Sequence, residues 1–438
     1  MPESLWNGYY SNYFDLFGCS LSCFIISFFV FRFLSPFLIA AANSASFTLY
    51  FLIAFLPTIT APLVASAVAS GDNESAQQRV SESLFLCTVL GVIGTASLVA
   101  FPRKFLSWLV LPAGAPAMEY AAPYLRWRAL GMVPSLIAAT GFAAYRGLLD
   151  TVTPLKVSLM TNAFNLILDP LCIFPFRLGF IGAAIATAAS EIAGGVTYFT
   201  LLLKKKLTRW SRLLKPPSWK SLLPILQGGA AMLIRQMALN IGFLTATRRA
   251  LVMDPSGVSG AAYGIVNQIY VVGVIVLVAM QQSASALVAA ALAKSGEDHA
   301  RKTADRLFVW STLVGVFLGV AQYLLLPLLV PVFSTIPEVQ QAIRSPAIIA
   351  SLIHFVNGPI FAGEGILMGL NGFKDLAFIT TGSIIAMLAC LATPLGGRLD
   401  GIMISILISN FLQSIGVVAH FLKFGRLAVK KKQGVQRN

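Results

Sequence analysis

Apolar runs of about 20 residues, the length a helix needs to cross a bilayer, recur along this chain between short polar breaks. With 57% hydrophobic and only 11% charged residues among 438, the chain has too little polar surface to cover a water-soluble globule. The reading is an all-α membrane protein. About twelve spans fall near 15–34, 46–68, 83–101, 129–148, 153–174 and 180–203, then 223–246, 258–280, 307–331, 346–370, 375–394 and 400–422. No sizeable soluble domain fits in the remainder.

The formal charge of +15 would suit a nucleic-acid partner if it were gathered on one folded surface. Instead the cations lie in loops and at the end of the chain. The densest groups are Lys204, Lys205, Lys206, Arg209, Arg212, Lys215 and Lys220, and later Lys423, Arg426, Lys430, Lys431, Lys432 and Arg437. Cytoplasmic loops collect Lys and Arg, so both groups, and with them both termini, are expected on the cytoplasmic side. The organisation that follows is a six-span N-lobe over 1–203, a basic linker over 204–222, a six-span C-lobe over 223–424 and a basic tail over 425–438. The expected partners are the lipid bilayer and a small-molecule substrate, with no nucleic acid and a monomeric chain. The N-terminus lacks the basic flank of a secretory signal, and no lipidation motif is found. Cys19, Cys23, Cys87, Cys172 and Cys390 are scattered in or beside apolar runs without metal-ligand spacing, and read as buried apolar residues.

The two groups of six resemble each other. "LVASAVASGDNESA" from Leu63 matches "LVAAALAKSGEDHA" from Leu287, an offset of 224 (287 minus 63) that continues through Thr88 and Thr312 and through Gly91 and Gly315. A weaker match sets "GAAIATAAS" from Gly182 against "GIMISILIS" from Gly401. An even number of spans per half makes these parallel repeats about an axis along the membrane normal.

A charged side chain inside the membrane costs about 2.5–3.5 kcal/mol on insertion scales, so each one demands a reason. In the fifth span, "TNAFNLILDP" puts Asn162, Asn165 and Asp169 at i, i+3 and i+7 on one stripe before the helix-breaking Pro170. A carboxylate with two amides suits a cation or proton site, or else bonds between helices. In the tenth span, "HFVNGPIFAGEG" gathers His354, Asn357, Phe361 and Glu364 on one face, with Gly358 and Pro359 expected to interrupt the helix. Glu364 is a second candidate coupling carboxylate, or the structural partner of a Lys or Arg; His354 reads as a satisfied core residue. Glu191 of the sixth span is expected to bond a neighbouring helix. Arg235 of the seventh is expected to snorkel or to neutralise a carboxylate, and if it faced a cavity it would favour an anionic solute. Three histidines without ligand spacing, no nucleophile elbow and no Walker-type loop leave nothing that reads as an enzyme, a cofactor site or a metal site.

"YRGLLDTVTPLKVSLMTNAFNLILDPLCIF" from Tyr145, followed by "GFIGAAIATAAS" from Gly179, resembles the multidrug and toxic compound extrusion (MATE) family, most closely its DinF-like branch. The likeness runs from about residue 46 to the end and includes "AAYGIVNQIY", "ALVAAALAKSGE" and a looser Asn357, Phe361, Glu364, Gly365 pattern. It implies two six-helix lobes around a central cavity, and export of an organic solute, a drug-like cation or an organic acid, in exchange for H⁺ or Na⁺ by alternating access. The family's N-lobe coupling positions map onto Asn165, Asp169 and Thr187, and its second-half acid onto Glu364, where the branch usually has Asp. Asn162, Glu191, Arg235, His354, Asn357 and Phe361 are candidate cavity-lining residues. One departure stands out: "LFGCSLSCFIISFFVFRFLSPF" lacks the Asp and the Val-Gly turn of the family's first helix, and Asp15 does not replace it. A divergent first span or a truncated or misjoined start would each account for that. The alternatives are a lipid-linked-saccharide flippase of related architecture and a non-transporting carrier or scaffold.

Overall fold

The computed structural model describes residues 55–109, 117–209, 212, 217–254 and 256–427. The expected span at 15–34, with Asp15, Cys19 and Cys23, lies outside these, as do Lys215, Lys430, Lys431, Lys432 and Arg437. Every regular element among the described residues is helical. They are α1 (Phe55–Ala69), α2 (Asn73–Ala100), α3 (Pro102–Leu109), α4 (Ala117–Ala129), α5 (Met132–Gly147), α6 (Val152–Ile173), α7 (Gly179–Lys204), α8 (Trp219–Val252), α9 (Val258–Phe333), α10 (Pro337–Gly369), α11 (Phe373–Ala392) and α12 (Leu399–Ala419). The described part of the expected span at 46–68, and each later expected span, falls on one of these helices, with α9 carrying two. A 3₁₀ turn at Pro394–Gly397 precedes α12, and a π turn at His420–Phe424 follows it.

Where the helices differ from expectation, polar residues are the cause. The charged stretch between the spans at 258–280 and 307–331 is helical on both sides of Gly296, whose backbone (φ 79°, ψ −171°) is a conformation reserved for glycine, so α9 consists of two helices that meet at that residue. Outside the hydrocarbon, charged residues extend a helix rather than end it, here helped by an Arg301–Asp305 pair one turn apart at 3.1 Å. Likewise α2 starts ten residues before its apolar run. Gly71 (φ 76°) turns the chain, and the Asp72 carboxylate caps the helix by accepting from the Ser75 N–H at 2.9 Å. The Ser75 hydroxyl, and with it that backbone bond, holds the Asp72 carboxyl below the usual range. Two helices, α3 and α4, occupy the stretch between α2 and α5 that reads in the sequence as a polar break. Neither Pro170 nor the Gly358–Pro359 pair ends its helix: α6 runs on to Ile173 and α10 to Gly369. At Gly358 the neighbouring α9 sits so close that its Ser311 hydroxyl donates to the Gly358 carbonyl at 2.8 Å, holding the backbone in place.

The side-chain distribution is that of a protein whose solvent is lipid. Large apolar residues such as Ile167, Leu244, Phe317, Leu328 and Phe378 point outward, whereas His354, Asn357, Glu364, Thr380, Ser405 and Ser409 are buried. Cys87 and Cys172 are buried as expected, while Cys390 is only half-buried. The chain divides into two compact units, one up to Gly229 and one from Ala230, the division falling within α8. The first has a core around Val64, Leu84, Tyr145, Tyr198 and Leu202, and the second around Val266, Ile343, Ile353, Met387 and Ile406.

Within each unit the helices cross at glycines, and the crossings repeat. A methyl added at Gly147 would lie 2.8 Å from both the Ala61 carbonyl oxygen and Val64 Cβ; one added at Gly369 would lie 2.7 Å from the Ser285 oxygen and 3.2 Å from Val288 Cβ. The partners Ala61 and Ser285, and Val64 and Val288, are each 224 apart, the offset read from the sequence. Gly141 against Tyr198 and Gly363 against Val417 form a second equivalent pair. We expect Gly147→Ala and Gly369→Ala each to cost about 1–3 kcal/mol through overpacking. Gly382→Ala, where the methyl meets nothing within 4 Å, is the control and should leave stability intact. Thermal unfolding of the detergent-purified variants checks this; equal melting temperatures for all three would contradict the packing account.

Candidate functional site

In the first unit the polar stripe of α6 faces inward. Asn165 and Asp169, one turn apart, are both buried, and Asn162 is half-buried a further turn back. Small residues of α7 make this possible. A methyl at Gly182 would stand 2.7 Å from the Cys172 carbonyl oxygen, and Ala183, Ala184, Ala186 and Ala188 are buried beyond it, so the start of α7 lies directly on the end of α6. Thr187 is half-buried, and its hydroxyl donates to the Ala183 carbonyl of its own helix at 2.8 Å. Glu191, three residues past the buried Ala188, is gripped by both arms of Arg128 from α4, at 2.5 and 2.7 Å. Such a planar fork is the strongest geometry for a carboxylate. The chain needs Gly131 at the α4–α5 turn because any side chain there would meet the Glu191 carboxylate. The expected bond from Glu191 to a neighbour is thus an ion pair. Its partner went unrecognised because Arg128 sits in a stretch that reads as a polar break.

The second unit carries the denser site. Glu364 on α10 is 1% exposed and takes donors from three other helices. Its Oε1 accepts from Arg235 Nη2 of α8 and, at 2.6 Å, from Gln413 Nε2 of α12; its Oε2 accepts from Gln281 Nε2 of α9. Gln413 also reaches Thr380 of α11 at 3.3 Å. The glycines flanking Glu364 bring these helices within reach. Gly363 lies against Val417 of α12, and Gly365 against Ala284 and the Gln281 backbone of α9. Arg235 therefore neither snorkels nor stands free, since its guanidinium neutralises Glu364. A buried pair of this kind is held together by what breaking it would leave behind, an uncompensated charge worth about 3–5 kcal/mol.

Two turns earlier on α10, Asn357 donates to the Tyr270 hydroxyl at 2.9 Å and accepts from Asn410 at 2.8 Å. His354 is fully buried, stacks on the Tyr270 ring at 5.0 Å between centroids, and bonds Gln322 through Nε2 at 3.0 Å. Phe361, half-buried, separates this group from Glu364 along the helix. The structure thus assembles Arg235 with Glu364 and ties Asn357 to His354 through Tyr270. The neutral partners Gln281, Gln413, Tyr270, Asn410 and Gln322 were passed over in the sequence because a lone amide or phenol barely lowers the hydropathy of a long apolar run. The usable signal was their position on inward faces.

The two carboxylates are not related by the internal repeat. Glycines 147 and 369 differ by 222; the same shift places Glu364 opposite Phe142 of α5 and Asp169 opposite Leu391, a buried apolar residue of α11. Tyr270→Phe should strand the buried Asn357 amide and cost about 1–3 kcal/mol. Thermal unfolding of the purified variant measures it, and an unchanged midpoint contradicts the assignment.

A MatE family model matches residues 14–171 and 234–392. The match therefore takes in the segment at 15–34 that the sequence motifs left aside. "Protein DETOXIFICATION 44, chloroplastic" of Arabidopsis thaliana is 26% identical over 338 residues, covering 75% of this chain and 64% of that protein. The "Probable multidrug resistance protein NorM" of Thermotoga maritima is 25% identical over 323 residues, 73% of this chain and 68% of its own length. The chain spans 59–64% of the length of the four DETOXIFICATION proteins it matches. A MOP superfamily transporter from Pyrococcus furiosus superimposes with a TM-score of 0.86 at 17% identity, over 95% of this chain and 94% of that one. A MATE crystal structure in the straight conformation gives 0.83 at 18%, over 94% and 93%. At these identities the likeness is one of fold, and the fold is that of twelve transmembrane helices in two six-helix lobes. From the family match, this multi-pass integral membrane protein belongs to MatE, the multidrug and toxic compound extrusion family.

Proposed function

We propose that the chain is a secondary active antiporter that exports an organic solute in exchange for H⁺ or Na⁺ by alternating access. The observation that carries this reading is the buried Glu364, held by donors from three other helices. A carboxylate is costly in this setting and is retained where it serves ion movement. Asp169, buried on α6 with Asn165 one turn away, is its counterpart in the first unit. Asn165 and Thr187 are supporting coupling positions, and no resident cofactor is required. The names of the relatives speak of detoxification, multidrug resistance and, for a protein of Shewanella oneidensis that is 24% identical, FAD transport. All are consistent with an organic cargo, either a drug-like cation or an organic acid. The Lys204, Lys205 and Lys206 cluster after α7 supports a cytoplasmic placement of that turn and of both termini.

Uptake into inside-out vesicles under an imposed pH or Na⁺ gradient tests the reading, with a panel of organic cations and tricarboxylates. One gradient should drive accumulation, and Asp169→Asn or Glu364→Gln should reduce it by about 5- to 150-fold, the span of typical coupling energies. Accumulation indifferent to both gradients and to both substitutions would sink the antiporter.

A further inference from the structure

The three donors on Glu364 are not chemically alike. A glutamine amide carries N–H groups on one side and a carbonyl oxygen on the other, so half a turn converts it from donor to acceptor; a guanidinium has five N–H groups and no acceptor at all. With a proton on Glu364, Gln281 or Gln413 can turn and accept the new O–H. With Na⁺ there, the same turned carbonyls are hard oxygen ligands. Arg235 can do neither, because it offers no lone pair and its charge repels the incoming cation across a contact that burial leaves poorly screened. The guanidinium is also on the accessible side, its side chain being 11% exposed against 1% for Glu364.

We propose that Arg235 is a tethered counter-ion that competes with the coupling cation for Glu364, so that cation binding and release of the α8 guanidinium are a single exchange. This rests on Glu364 being the coupling group as read above. In the exchange the carboxylate gains one H⁺ or Na⁺, the guanidinium stays protonated, and the net charge of the cluster rises from zero to +1. The groups that contact Glu364 among the described residues are Arg235 from α8, Gln281 from α9 and Gln413 from α12, with Thr380 of α11 behind Gln413. Arg235 is the charged one, so opposing charge on Glu364 comes from it alone within that set.

Dicyclohexylcarbodiimide, which modifies protonated carboxyls in apolar surroundings, reads the exchange without any substrate. The full chain in lipid nanodiscs is labelled at neutral pH and the Glu364 peptide is quantified by mass spectrometry. Arg235→Gln should raise labelling severalfold, because removing the opposing charge favours the neutral acid, whereas Arg235→Lys should stay near wild type. Equal labelling in wild type and Arg235→Gln overturns the proposal. A second variant guards against a folding failure: Glu364→Gln mimics the protonated acid and should make Arg235 react severalfold faster with phenylglyoxal, and an unchanged rate overturns the proposal equally. Raised labelling without gradient-driven uptake supports the exchange and removes the antiporter. Normal uptake with unchanged labelling removes the exchange alone.

Discussion

Inside hydrocarbon a polar atom has no water to fall back on, so each one must find its partner within the protein. Glu364 shows what this demands. Its carboxylate takes N–H donors from α8, α9 and α12, and those helices come near enough because Gly363 and Gly365 remove the side chains that would hold them apart. Lipid supplies no hydrophobic drive between spans, so close backbone contact does the packing and the polar groups specify which faces meet. The glycines at the crossings and the buried polar network are therefore two aspects of one arrangement.

The same crossings carry the internal repeat. Gly147 rests on α1 as Gly369 rests on α9, through partners displaced by a constant 224 residues. The repeat extends to the scaffold and stops at the chemistry. Glu364 has Phe142 at the equivalent place, and Asp169 has Leu391. Two like halves thus hold their carboxylates on different helices, α6 in one and α10 in the other. The described surroundings of the two differ: Asn162 and Asn165 stand in line with Asp169 along α6, whereas Glu364 meets a guanidinium and two glutamines from three other helices.

Much of this was legible from residue order. Apolar runs located the spans from 46 onward, since burial in lipid leaves the clearest of all sequence signals. The inward faces of Asn165, Asp169, Asn357 and Glu364 followed from their spacing, and the structure buries all four. The helix ends were less legible. Charge density stops an apolar run but not a helix, which is why α2 and α9 outrun their predicted limits. Proline at 170 and 359 was read as a break, yet α6 and α10 run on through both, and at Gly358 a hydroxyl from α9 holds the backbone. Pairing was hardest to see: Arg235 with Glu364 lies 129 residues apart and Arg128 with Glu191 lies 63 apart, and nothing local reports such a meeting. Gln281 and Gln413 matter through the group they face, which only the fold reveals.

The account stands or falls on Arg235 and Glu364 balancing each other within the second unit. A double-mutant cycle on thermal stability in nanodiscs, with Arg235→Gln, Glu364→Gln and the two combined, measures that balance directly. Each single change strands a buried charge or removes its counter-ion, so both should destabilise, while the double variant should recover a substantial part of the loss, with a coupling of about 0.5–3 kcal/mol. Strictly additive losses would contradict it, for they would mean that the two side chains do not meet.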